Sequence, residues 1–214
     1  MKILAVCAHP DDEILGVGGT LLRHSSQGDE IFICIATKAY EPEWSNNYIE
    51  KKIIEQEKVD KLLNSKKRYN LDFPAVKLNE IAYGEFNKRI TGVVDEVNPD
   101  IIYTHFEQDL NFDHKYVFYA CQVAARPPKF IDVYSFETPS ETEWGSKAFK
   151  PNYYINIEGF LEKKIDLFKL YKSEVKNYPH PRSYKAIENL AKYRGSEVGL
   201  KYAEAFILRR EVWK

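Results

Sequence analysis

The sequence predicts an α/β fold: a Rossmann-like, mostly parallel sheet with helices on both faces and a C-terminal segment covering the crevice at the strand ends. Three observations carry that prediction. Over the first 136 residues, short apolar runs alternate with amphipathic helical patterns, the order that builds βαβ units and a parallel sheet. The runs at 3–8 and 31–36 are almost continuously apolar, as strands covered on both faces require. Two segments dense in histidine and acidic residues directly follow the runs at 3–8 and 101–104. Open α/β sheets keep their ligand crevice there, at the carboxyl ends of the strands.

The elements follow in order. Residues 3–8 form the first strand. Residues 14–27 read as a helix, with Asp11 or Asp12 as N-cap and Gly28 as its stop. Residues 31–36 are the second strand. Residues 49–63 are helical by pattern, with Ile49, Ile53, Gln56 and Leu63 on one side and lysines on the others. Residues 79–97 form an amphipathic helix whose apolar side is Phe86, Ile90, Val93, Val94 and Val97, ended by Asn98-Pro99-Asp100. A short strand at 101–104, a helix at 113–125 closed by Pro127-Pro128, and a strand at 130–136 come next. Leu161, Ile165, Phe168 and Val175 mark a further helix, and residues 184–193 the last one, stopped by Gly195. Gly16-Val17-Gly18-Gly19-Thr20 lacks the Gly-x-Gly-x-x-Gly spacing and falls inside a helix pattern, so close helix–strand packing accounts for it better than phosphate binding.

A chain of 214 residues is close to the usual size of about 100–200 residues per domain, and no linker or repeat interrupts it, so one domain over 1–214 is expected. Lysine plus arginine is 31 against 32 for aspartate plus glutamate. That balance gives no global basic field for nucleic acid or an acidic membrane. No run approaches the roughly 18 apolar residues of a membrane span. Cys7, Cys34 and Cys121 are scattered, and the first two sit in apolar runs, so buried thiols and a reducing, cytoplasmic compartment are expected. Nothing in the pattern fixes an oligomeric state.

The first chemical constellation is His9-Pro10-Asp11-Asp12-Glu13, between the first strand and the first helix. Histidine with aspartate is a frequent zinc ligand pair, and an open zinc site needs only three protein ligands. The second carboxylate is then free to act as a general base on water. Two aspartates before a helix are also ordinary caps. The second constellation, from His105 to His114, supplies two histidines, three acids and two amides in ten positions, with His114 preceded by Asp113. Tyr40, Trp44 and Tyr48 lie in a polar loop near the second strand end, where they either stack on a sugar or pack the loop.

His-Pro-Asp-Asp-Glu after the first strand, joined to Asp109-Leu110-Asn111-Phe112-Asp113-His114, resembles the PIG-L/LmbE-like zinc-dependent N-deacetylases. Phe136-Glu137-Thr138-Pro139-Ser140, Thr142-Glu143-Trp144-Gly145, Pro179-His180-Pro181-Arg182-Ser183, and Arg194-Gly195 followed by Ala203-Glu204-Ala205-Phe206 are similar too. The resemblance therefore runs from about residue 2 to about residue 210. It implies one catalytic Zn2+, with Fe2+ an alternative in the cell because a two-nitrogen, one-carboxylate set suits both. It implies hydrolysis of the acetamide of an N-acetylated amino sugar within a small-molecule conjugate. Carried over by position, His9, Asp12 and His114 match the metal ligands, Asp11 the general base that acts on a metal-activated water, and Asp113 the acid supporting the histidine site.

Two positions depart from the family pattern. Asn111 stands where many members carry a histidine; an amide hydrogen-bonds an oxyanion but cannot protonate a leaving amine. That leaves Asp11, His180 and His105 as candidates for the proton donor. Lys52 stands where members often carry an arginine facing the site, and lysine offers a point charge without the bidentate fork. Lys52, Arg182 and His105 are candidates for substrate contact. Two other readings share these residues: a zinc hydrolase of a different acyl amide, and a sugar- or nucleotide-binding module without catalysis.

Overall fold

In a computed structural model, residues 1–212 are described; Trp213 and Lys214, which the sequence assigns to the same domain, lie outside the described residues. The chain runs β1 (Lys2–Cys7), α1 (Asp12–Ser26), β2 (Glu30–Lys38), α2 (Asn46–Leu63), β3 (Lys67–Pro74), α3 (Tyr83–Val97), β4 (Ile101–Thr104), α4 (Phe112–Ala124), β5 (Asp132–Phe136), β6 (Tyr153–Asn156), α5 (Leu161–Phe168), α6 (Tyr184–Ser196) and β7 (Ala203–Arg210). The strands form one sheet in the order β3-β2-β1-β4-β5-β7-β6. The first five are parallel; β7 is antiparallel to both β5 and β6.

Period-two alternation along β1 builds both halves of the core. Leu4, Val6 and Ala8 pack with Phe86, Ile90 and Val94 of α3 and Val117 and Cys121 of α4. Ile3, Ala5 and Cys7 pack on the other face with Ile14, Val17 and Leu21 of α1, Val59 of α2 and Phe168 of α5. Helices on both faces explain why β1 is apolar throughout. The glycines of α1 act as expected: a Cβ on Gly16 would overlap the Phe136 ring, and one on Gly19 would stand 2.9 Å from Ile157.

Several elements differ from the sequence expectation. β3 has no counterpart in it: β3 is a sheet edge, and of its residues only Leu71 and Phe73 are buried, so lysine, arginine and aspartate mask its apolar signal. β6 and β7 are likewise absent from the expectation. Early in β7 the buried Glu204 accepts from the Gly19 and Thr20 amides and from Lys164, and with Arg209 and Arg210 it flanks the short apolar run at 205–208. α3 begins at Tyr83 instead of residue 79, because Leu78–Glu80 forms a separate 3-10 turn. α5 ends at Phe168, so Val175 lies beyond it. α2 buries Lys52, Gln56, Val59 and Leu63, while Ile53 is exposed; Gln56 and Leu63 of the expected side are buried, but Ile53 is not and Lys52 is.

The strand order places β1 and β4 side by side at the centre, with the chain departing from them in opposite directions. The crevice of such a sheet opens at this switch point. The segment His9 to Glu13 leaves β1 and the segment His105 to His114 leaves β4, so both histidine-rich segments meet at its mouth.

Candidate active site and metal centre

Asp11 precedes α1 with φ 118°, a left-handed backbone, and its side chain makes no capping hydrogen bond. Asp11 thus holds the N-cap position expected for it, with its carbonyl accepting from the Ile14 and Leu15 amides, while its carboxylate is turned to other partners. Asp12, the first helical residue, is fully buried. Its Oδ2 lies 3.4 Å from His9 Nδ1 and 3.5 Å from His114 Nε2. Ligand atoms of His9, Asp12 and His114 all lie within 4.8 Å of one another.

Two of those donors are orphans. His114 Nε2 and Asp12 Oδ1 are buried without a hydrogen-bond partner. A buried polar atom left unpaired costs about 1–3 kcal/mol, and a cation between the two imidazoles and the carboxylate would satisfy both atoms. Two nitrogens and a carboxylate oxygen suit Zn2+ or Fe2+, so the residues fit the implied metal.

Each histidine of the trio is oriented by a carboxylate behind it, the arrangement that fixes tautomer and ring direction in metal sites. His9 Nε2 lies 3.1 Å from Asp113 Oδ2, and Asp113 is held by the Val76 amide at 2.6 Å and the Leu78 amide at 3.4 Å. His114 Nδ1 lies 2.8 Å from Asp109 Oδ2, and the Thr142 hydroxyl donates to Asp109 Oδ1 at 2.6 Å. Burial, helped by His105 alongside, holds His114 well below the usual imidazole range. A neutral ring with Nδ1–H on Asp109 leaves the Nε2 lone pair for a metal.

Asp11 meets Arg182, whose Nη1 donates to Asp11 Oδ2 at 3.0 Å. Burial pushes the Asp11 carboxyl up to about 8, with the Arg182 guanidinium pulling the other way. The Asp11 amide donates to Glu13 Oε2 at 2.9 Å, and the other Glu13 oxygen accepts from Arg68 and Tyr171. Arg68 in turn makes two 2.9 Å bonds to Asp60 of α2. A buried network thus ties the left-handed turn at Asp11 to β3 and α2.

Asn111 caps α4: its Oδ1 accepts from the Asp113 amide at 2.9 Å, which leaves its NH2 group to donate. His9, Asp11, Asn111, Lys52 and Arg182 all line one cavity of about 450 Å3. Arg182 also bonds Glu174 at 3.1 Å and Ser140 at 2.7 Å. Lys52 Nζ is 2.7 Å from Glu174, which also accepts from the Tyr48 hydroxyl at 2.9 Å. Burial works against the Glu174 charge, but Lys52 and these hydrogen bonds hold it down to about 2.

Asp12, Asp113 and His114 lie buried behind the cavity wall within the ligand cluster, and His105 and His180 are also absent from the wall. His105 is fully buried; its Nε2 accepts from the Ala8 amide at 2.9 Å, its Nδ1 faces Thr138 Oγ1 at 3.3 Å, and its ring stacks on His114 at 3.7 Å. It supports the ligand cluster from beneath, so the expected substrate contact is corrected. His180 sits in a turn, where its Nδ1 accepts from the Arg182 amide at 3.1 Å and its ring meets Trp144. It positions the Arg182 backbone and does not line the cavity. Sequence reasoning missed the roles of Glu13, Arg68, Asp109 and Glu174. Asp109 alone carried a signal, five residues before His114.

The model of the PIG-L family, described as GlcNAc-PI de-N-acetylase, matches residues 4–125. A diacetylchitobiose deacetylase of Thermococcus kodakarensis is 24% identical over 95% of this chain and 81% of its own length. The solved conserved protein TT1542 of Thermus thermophilus superimposes with a TM-score of 0.80 at 22% identity, covering 99% of this chain and 96% of that one. GalB, a 4-carboxy-2-hydroxymuconate hydratase of Pseudomonas putida, superimposes with a TM-score of 0.78 at 18% identity, covering 100% of this chain and 98% of that one. At these identities the two structures speak to the fold alone.

Proposed function

The chain belongs to the PIG-L family, and from that premise we propose that it is a metal-dependent hydrolase removing the N-acetyl group from an N-acetylated amino sugar of the GlcNAc type, carried in a small-molecule conjugate. The observation that carries this reading is the pair of orphaned buried donors, His114 Nε2 and Asp12 Oδ1, in a trio with His9, beside a cavity into which Asp11 faces. A hydratase shares the fold, so the fold does not choose the reaction; the family match and the donor set are what support deacetylation. His9, Asp12 and His114 would hold Zn2+, with Fe2+ as the alternative. When bound, such a metal lowers the pKa of water to about 7 and polarises a carbonyl.

The chain's own groups divide the remaining work. Asp11 takes the proton of the attacking water. The Asn111 NH2 donates to the developing oxyanion, the kind of fixed donor that stabilises a tetrahedral intermediate. Asp11, once protonated, returns its proton to the leaving amine, which Asn111 cannot protonate. The products are acetate and the free amino sugar, so water supplies the hydroxyl and the proton. Asp113 and Asp109 keep His9 and His114 oriented. Arg182 and Lys52, joined by Glu174, frame the wall where the sugar lies. We place the protein as one domain in the cytoplasm, where its three free buried thiols stay reduced.

The test is acetate release from a panel of N-acetylamino sugars and their glycosides, on metal-loaded protein with a chelated sample beside it. Metal-dependent acetate supports the reading. No acetate from protein shown to contain metal overturns it in favour of a different acyl amide, or of a binding module without turnover.

A further inference from the structure

α2 is built the wrong way round for a helix that only packs on a core. It buries Lys52, 6% exposed, while Ile53 and Ile54 are 44% and 49% exposed. Tyr48, Ile49, Lys52, Ile53 and Gln56 form the stripe of α2 that faces the cavity. Lys52 is fixed there by Glu174 and by the Tyr48 and Tyr171 rings. That arrangement leaves the two isoleucines of the stripe as wet apolar surface inside a concave site. Trp44, set edge-on to Tyr40 at 5.6 Å, extends this surface, and Ala75 and the exposed Val76 line the same cavity. Ligand cavities are apolar surfaces with a few placed polar groups, and a local break of the core-facing pattern marks function more often than packing.

The charges in the cavity point the same way. Among the described residues, its cations are Lys38, Lys52 and Arg182. Arg182 is neutralised by Asp11 and Glu174, and Lys52 by Glu174. Lys38 is exposed, and Asp72 shares its cavity wall. With Arg182 and Lys52 already paired, a diphosphate or dicarboxylate would meet one unpaired cation, the solvated Lys38, with the Asp72 carboxylate on the same wall. Resting on the deacetylase reading above, we propose that the group attached to the amino sugar is an uncharged apolar aglycone seated on Trp44, Ile49 and Ile53.

The experiment compares acetate release from the methyl, hexyl and phenyl β-glycosides of N-acetylglucosamine with release from a nucleoside-diphosphate-linked N-acetylglucosamine, on metal-loaded protein. Calorimetric binding of hexyl β-glucoside, which has no amide to hydrolyse, is measured alongside. The expected kcat/KM for the hexyl and phenyl glycosides exceeds that for the methyl glycoside by at least about tenfold, the scale of one or more methylenes in an apolar pocket, mostly through KM. Ile53→Asp brings that ratio close to one; Ile54→Asp, equally exposed but off the cavity wall, leaves the ratio as in the parent. Equal rates for all glycosides, or preference for the nucleotide-linked sugar, overturn the apolar aglycone while leaving deacetylation standing. Hexyl glucoside binding lost in Ile53→Asp, without acetate from any glycoside, keeps the apolar subsite and removes deacetylation. Neither binding nor acetate removes both.

Discussion

Arg182 and Asp11 stand 171 residues apart in the chain and meet at 3.0 Å. The contact joins the segment that covers the crevice to the turn after β1, so the covering segment is part of the chemical site. It also fixes which way the Asp11 carboxylate points: a guanidinium on one oxygen leaves the other for a proton. Arg182 is held in turn by Glu174 and Ser140, and its own amide by His180.

Asp109 orients His114 through a 2.8 Å contact, so Asp109→Asn weakens metal binding. Loss of an outer carboxylate of this kind costs about 10–100-fold in metal affinity. Competition with a chelator of known affinity measures it, and excess metal restores much of the turnover. Unchanged affinity removes Asp109 from the account.

The glycines of α1 and α3 give opposite stability effects. Gly16→Ala drives a Cβ into the Phe136 ring and destabilises by about 1–3 kcal/mol, the usual cost of overpacking. Gly92→Ala in α3 meets nothing within 4 Å and stabilises by about 0.4–1 kcal/mol. Urea midpoints of the two variants against the parent check both signs.

Glu174 carries a carboxyl held down to about 2, below its ordinary value near 4.3. A depressed folded value means stability that is fully present above the unfolded value and fades as pH falls toward the folded one. The stability gap between the parent and Glu174→Gln is therefore constant above about pH 5 and narrows from there as pH falls through about 2. Urea unfolding at a series of pH values reads the gap. A gap that widens on acidification contradicts the assignment.

The central strands and the two histidine-rich segments were legible in the sequence for one physical reason. Strands covered on both faces announce themselves as apolar runs, and residues 9–13 and 105–114 follow the ends of two of those runs, whereas the choice of His9, Asp12 and His114 within them rested on the family resemblance. The elements that were not legible are those whose burial is polar or partial. β3 is a charged edge, yet it delivers Arg68 to Glu13. The second residue of β7, Glu204, is buried on backbone amides of α1 and on Lys164, so a charge breaks its apolar run. α2 shows Ile53 to a cavity and Lys52 to a buried network, so its pattern was right at Gln56 and Leu63 and wrong at these two positions. His105 and His180 had the composition of site residues but not the placement, because local spacing cannot tell a ring that faces the cavity from one that packs behind it.

The measurement that bears most directly on the central claim is acetate release and metal content in Asp11→Asn, prepared beside the parent protein. Asparagine keeps the size of Asp11 and removes its ability to take a proton. The account predicts that the variant binds the same amount of metal and loses turnover by about 10²–10⁴-fold, the range of a general base. A variant that holds its metal and turns over at the parental rate contradicts the assignment of Asp11 as the base.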